Sequence, residues 1–375
     1  MVAIALGVIG FVLGFATRPR ETWIWLVVYF VIYMGLANGM LIWSAAFRVA
    51  QTRWTPAVNR IGHSALYFTP ILFGMLVALL FGARYYEPWI DHPVRETAAW
   101  LNLPFMAARD IVSLVILWAL CFYMVRWTLA VDARLMRGQD VTGQDQYRLT
   151  AIGTAVVMVY TVAGSVIAFD FIMSLAPAWA STMFALYYWT TSLYAGMALL
   201  IILSALMKRA LGAERFLQPQ QFHDMGNLLL GFSLFSMGLF FAQYLTIWYE
   251  NLPEETFFMI VRYYRGIWMC PAWAAFFIGY AIPFVLLQSR TLKRSPRLCS
   301  IAAALVIIGV ALERYVLVVP SVSPGTLLLA PAGLLGVLGF SGLFVLAITS
   351  FLAKYSPVSS ADVALKRSDM KLEIL

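Results

Sequence analysis

Charge is what this 375-residue sequence has least of: 12% of its residues are Asp, Glu, Lys or Arg, against about 25% in soluble globular chains. With 62% hydrophobic residues and a mean hydropathy of +0.82, that scarcity excludes a soluble domain and indicates an integral membrane protein. Histidine is scarcer still. Two b-type haems with two axial histidines each require four, and the chain has three, His63, His92 and His223, no two on one predicted helix. Cys121, Cys270 and Cys299 show no CxxC spacing, which argues against a disulfide framework, an iron–sulfur motif and a CxxCH c-type haem. No Walker motif and no GxGxxG after a strand occurs. The chain is expected to bind no metal and no redox centre of its own. Its net charge of +8 does not indicate nucleic acid, because the basic residues cluster in short loops between apolar runs.

Ten of those runs are long enough, or nearly so, to span a bilayer, which takes about 20 apolar residues. They are Val2–Ala16 (short), Trp23–Phe47, Ile61–Phe81, Ile111–Val131, Ile152–Leu175, Thr182–Met207, Asn227–Tyr249, Ile267–Gln288, Leu298–Val319 and Thr326–Ala353. Their length and lack of alternation exclude a barrel, so the expected fold is all-α and polytopic. Residues 1–353 form one transmembrane domain, and 354–375 a polar, cytoplasmic, mobile tail. The N-terminus lacks the basic region and cleavage site of a signal peptide and reads as a first helix. Lys and Arg number 18 on one side of this topology and 7 on the other, which places both termini in the cytoplasm. Arg18 and Arg20 oppose that orientation for the first helix.

The few polar groups in the apolar runs sort by depth. Asp170, Gln243, Glu250, Glu313 and Arg314 fall toward the outer ends, joined by Glu254, Glu255, Arg262 and Arg265 of an outer loop. Asn38, His63, Tyr67, His223, Asp224 and Asn227 fall toward the cytoplasmic side. A carboxylate inside an apolar run is a functional candidate by default. Two readings compete for the outer set. In one, Arg314 or a loop arginine neutralises Asp170 or Glu250 in a structural ion-pair cluster. In the other, a carboxylate takes protons from a quinol or passes them on. Adjacent residues on a helix point about 100° apart, so Glu313 and Arg314 both need partners on neighbouring helices. Four residues apart, His63 and Tyr67 share a helix face. Asp224 is placed to cap the helix after it, leaving His223 in a loop. Tyr160 and Thr161, near mid-membrane, are candidates to bridge the two sides with water. No residue is assigned as catalytic.

Several runs resemble one family. Phe169-Asp170-Phe171-Ile172-Met173-Ser174-Leu175-Ala176-Pro177-Ala178-Trp179 is similar to the FDW-MSL-P-W segment of NrfD/PsrC-like membrane subunits of alternative complex III, and His223-Asp224-Met225-Gly226-Asn227-Leu228-Leu229 to its HD-GKLL. The run from Gln243 to Thr256 resembles SQYMLIWYANIPEET, and Ile282-Pro283-Phe284 and Glu313-Arg314-Tyr315 also fit. Within that complex the chain looks most like the ActF-type subunit. The resemblance implies ten helices of which the middle eight form two four-helix bundles, roughly 23–175 and 182–319, with two peripheral helices. It implies a place in a quinol:cytochrome c oxidoreductase of a bacterial inner membrane, beside an ActC-like paralogue. Iron–sulfur and multihaem cytochrome c subunits carry the electrons there, and a terminal oxidase is a further candidate partner. For this subunit it implies proton translocation, with quinone as a candidate ligand. Phe171 replaces the motif's Trp, Ala176 and Ala178 replace positions often acidic and His, and Glu250 stands where Ala is common. The alternatives are a chain that oxidises quinol itself, a secondary transporter and a purely structural anchor.

Overall fold

Each apolar run is a helix, and most extend beyond it. The structure is a computed structural model that describes residues 1–52, 54–92, 97–140, 142–210, 213–264, 266–328, 330–356 and 358–363. The helices are α1 (Val2–Thr17), α2 (Pro19–Val49), α3 (Pro56–Tyr85), α4 (Leu103–Met136), α5 (Gly143–Phe171), α6 (Thr182–Ala210), α7 (Pro219–Glu250), α8 (Met269–Leu286), α9 (Pro296–Val322) and α10 (Pro331–Lys354). Among the described residues there is no strand, and nine helices are long and apolar enough to cross a membrane. The protein is a multi-pass, all-α membrane protein.

Hydropathy marks where helices are apolar, and the polar caps mark where they begin. Asn102 accepts from the backbone N–H of Phe105 at 3.0 Å, which starts α4 eight residues ahead of its apolar run. Thr142 and Asp145 form a reciprocal capping box at the start of α5. Gln218 and Gln221 do the same for α7. His223 and Asp224 therefore lie inside α7, and Asp224 is not its cap.

α2 is the hub: 89% of its most apolar window is buried, against 22% for α7. It packs on α3, α5, α6 and α9, while α4 packs on α5, α6 on α7 and α9, and α8 on α9. Where α2 crosses α6, a Cβ on Gly39 would lie 2.9 Å from Cα of Gly196, and one on Gly196 would lie 2.6 Å from Cα of Gly39. Side chains are excluded there, so the two backbones touch. α1 lies against α10, Gly7 on Gly339.

Three prolines interrupt spans, and each carbonyl left without its i+4 N–H finds another donor. Pro70 frees the carbonyl of Leu66, which accepts from Thr69 Oγ1 at 2.8 Å. Pro283 frees that of Gly279, in a π-helical turn at Phe277–Ala281, which accepts from Tyr194 at 2.9 Å. Pro320 frees that of Val316, which accepts from Arg262 Nε at 3.0 Å.

Candidate functional site

Asp170 sits in the last turn of α5, and of the two expected kinds of partner, Arg314 or a loop arginine, it takes the second: Arg109, which the structure places nearly two turns into α4. Arg109 Nε donates to Asp170 Oδ2 and Nη2 to Oδ1, both at 2.5 Å, a bidentate fork. The third arm, Nη1, donates to the carbonyl of Trp100 at 2.7 Å, and the guanidinium lies 4.0 Å from the Trp100 ring centroid. Trp100 Nε1 completes the shell of Asp170 at 3.0 Å.

Ser174, in the helical turn after α5, links this fork to a second acid. Its hydroxyl lies 2.7 Å from the carbonyl of Asp170 and 3.2 Å from Oε1 of Glu87. Glu87 stands in the α3–α4 connection, 1% exposed, and accepts from Trp89 Nε1 at 2.6 Å. Burial pushes its carboxyl up to about 8, against the two donors and with help from the charge of Asp170. A third acid, Asp110, is completely buried beside both. Against the cluster lies a cavity of about 370 Å³ lined by Trp100, Phe169, Met173, Ser174, Pro177 and Trp179. Three carboxylates thus surround one guanidinium among the described residues. Among the described residues no three of His, Cys, Asp and Glu are arranged to hold a metal ion.

The opposite end of the same helices holds a second cluster. Arg60 of α3 pairs with Asp132 of α4, and Arg48 of α2 lies 2.5 Å from Asp362. Asp362 belongs to the segment after α10, whose Ser359 and Ala361 are fully buried. The N–H of Ala361 donates to Asp132 at 2.7 Å and Asn59 Nδ2 to Asp362 at 3.1 Å. The described part of the tail is therefore docked, and the mobile tail expected from residue 354 does not begin there. His63 is buried beside Arg60, its Nδ1 without a partner, as are Arg60 Nε and Nη1. Tyr67 does not share its face. Residues 64–68 form a 3₁₀ helix with about three residues per turn, which sets positions four apart at an angle of about 120°. Tyr67 packs instead on Phe351 of α10. Asn38 lies between the ends and accepts from Trp118 Nε1 at 3.0 Å.

The second half of the chain has its own centre. Arg314 Nη1 bonds Glu313 at 3.0 Å, and its Nη2 reaches the carbonyl of Tyr188 at 3.0 Å and Thr191 Oγ1 at 2.5 Å on α6. Glu313 also accepts from Tyr280 of α8. Both residues find neighbouring-helix partners as expected, and they also pair with each other. Tyr160 donates to the carbonyl of Trp189 at 3.2 Å, while Thr161 turns back to Met158 of its own helix.

The remaining expected residues scatter. Gln243 bonds Ser181. Glu250 and Glu254 are exposed; Glu255 is raised by partial burial and then by the charges of those two. Among the described residues Arg262 forms no ion pair: besides Val316 it donates to Leu317 at 2.9 Å and Ser321 at 2.6 Å, serving the carbonyl end of α9. His223 lies 3.4 Å from Asp224 and 3.3 Å from Asn227, which accepts from Lys293 at 2.7 Å. Arg265 lies outside the described residues.

Sequence reasoning missed Glu87, Asp110, Asp132, Arg109, Arg60, Arg48 and Asp362 as site residues. On α4, buried residues recur at Asp110, Leu114, Leu117, Cys121, Met124, Thr128, Val131 and Asp132, a helical stripe readable from spacing alone. Its two acids are 22 residues apart, about 33 Å along the axis, which is close to the thickness of a bilayer core. No family model and no curated protein matches the chain.

Proposed function

We propose that this chain is the membrane subunit of a quinol:electron-acceptor oxidoreductase of the alternative complex III type, and that it passes protons between its two charged ends. The complex would sit in a bacterial inner membrane with both termini of this chain cytoplasmic. The ActC-like, iron–sulfur and multihaem cytochrome c partners would carry the electrons. One observation carries the proton reading: α4 and its neighbours hold a buried carboxylate cluster at each end of a span. The family-like segment contributes to it directly, through Asp170 and Ser174. Between the ends the buried stripe of α4 offers Trp118, Cys121 and Thr128, with gaps of about 5 to 12 Å along the axis. Proton passage needs water across those gaps, since a direct hop requires hydrogen-bond distance.

Asp170→Asn alone would strand the Arg109 guanidinium, so a fair test removes both charges. In the purified complex, the Arg109→Gln/Asp170→Asn pair is expected to assemble and transfer electrons while moving at least tenfold fewer protons. A variant that assembles, turns over and moves protons like the parent would sink the idea. A second reading, quinol oxidation by this chain itself, draws on the 370 Å³ aromatic cavity over Ser174. A photoaffinity quinone that labels Trp100 or Trp179 would favour it, and labelling confined to the paralogue would count against it.

A further inference from the structure

Arg109 spends all three nitrogens elsewhere, two on Asp170 and one on the carbonyl of Trp100. Its chain neighbour Asp110 receives nothing. Among the described residues no N–H or O–H donor reaches either carboxylate oxygen of Asp110, the side chain is fully buried, and the carboxylate of Asp170 stands within hydrogen-bonding reach of it. The groups that face it are Tyr86 and Glu87 from the α3–α4 connection, Asp170 from α5 and Arg109 on its own helix. If all three acids were ionised, this end would hold two negative charges in excess, in a region of low dielectric. An anion there would lack donors and would face the like charge of Asp170, joined by that of Glu87 above about pH 8, a costly arrangement for a buried carboxylate. A carboxylic acid suffers neither penalty, and its O–H has acceptors beside it.

We propose that Asp110 is the proton-holding residue of this end, a neutral acid that gives its proton to Asp170 and takes one back. In the exchange an O–H bond breaks on Asp110 and forms on the acceptor carboxylate, and no electron moves. Asp170, held by two arms of Arg109, is the resting anion. The role in transfer rests on the proton-passage reading; the resting protonation does not.

Infrared spectroscopy of the purified protein reads the bound proton directly, as the C=O stretch of a protonated carboxyl that shifts in heavy water. At neutral pH two such bands are expected. One, from Glu87, fades as pH rises through about 8 and is absent from Glu87→Gln. The other persists at alkaline pH and is lost in Asp110→Asn. Asp110→Val, which removes the carboxyl without adding charge, makes the same prediction should the Asn variant fail to fold. A persistent band that survives in both Asp110 variants, or no persistent band in the parent, overturns the assignment. Proton movement per electron is expected to fall at least tenfold in Asp110→Asn. Loss of the band with undiminished proton movement would uphold the assignment to Asp110 and discard the passage reading.

Discussion

The two ends of the first helix group solve the problem of buried charge in opposite ways. At the Asp170 end, among the described residues, three acids share one arginine, and an oxygen pair is left without donors. At the His63 end Arg48 and Arg60 face Asp132 and Asp362, two cations against two acids among the described residues, and what lacks a partner there is Nε and Nη1 of Arg60, Nδ1 of His63 and the amide oxygen of Asn59. The first end has acceptors to spare and can store protons. The second balances its charges and leaves unpartnered groups of both kinds.

The comparison can be broken first at Arg109. Arg109→Met leaves Asp170 buried with a single Trp donor, at a cost of about 3–5 kcal/mol. Little monodisperse protein is expected on size-exclusion chromatography of detergent extracts. Recovery equal to the parent would mean that the Asp170 end does not depend on its one cation. A smaller effect is expected at the other end. Asp362→Leu removes the acid facing Arg48 and should cost about 1.5–3 kcal/mol, read as a lower thermal midpoint. Arg48→Met/Asp362→Leu should recover most of that loss, because removing both partners of a buried pair is often neutral.

The smallest effect is a pH dependence confined to the acidic end. Folded Glu87 keeps its proton up to about 8, whereas the unfolded carboxyl loses it near 4.5. Between those values the folded state binds more protons, so stability falls as pH rises and flattens above the window. A decline of a few degrees in thermal midpoint from pH about 5 to about 8 is expected, absent in Glu87→Gln. If the decline persists in that variant, its source lies elsewhere.

Ten helices were legible because apolar length is a strong signal and bilayer thickness fixes its scale. Asp170, Glu313 and Arg314 were legible for the same reason, as charges interrupting grease. Asp110 and Asp132 were not. They lie just outside the apolar run of α4, where hydropathy reads loop and the charge of Arg109 reads topology. Capping by Asn102 carries the helix past the first boundary and sets Asp110 on its buried stripe, and the helix runs on to Met136 with Asp132 buried at the second. Glu87 and Asp362 could not be placed at all, since connections and tails fold by contacts that no local period encodes. Glu250 erred in the other direction: it ends an apolar run, yet its side chain is exposed.

The glycine crossing of α2 and α6 carries a mechanical consequence. With Gly39 and Gly196 touching backbone to backbone, there is no cushion of side chains to shear, and α2 is held by neighbours on nearly every side. A machine that rocks one half against the other to expose a site alternately would have to pull this crossing apart. The scaffold is a stator. Under the proposed proton passage, what moves through it travels by turning side chains and reorienting water.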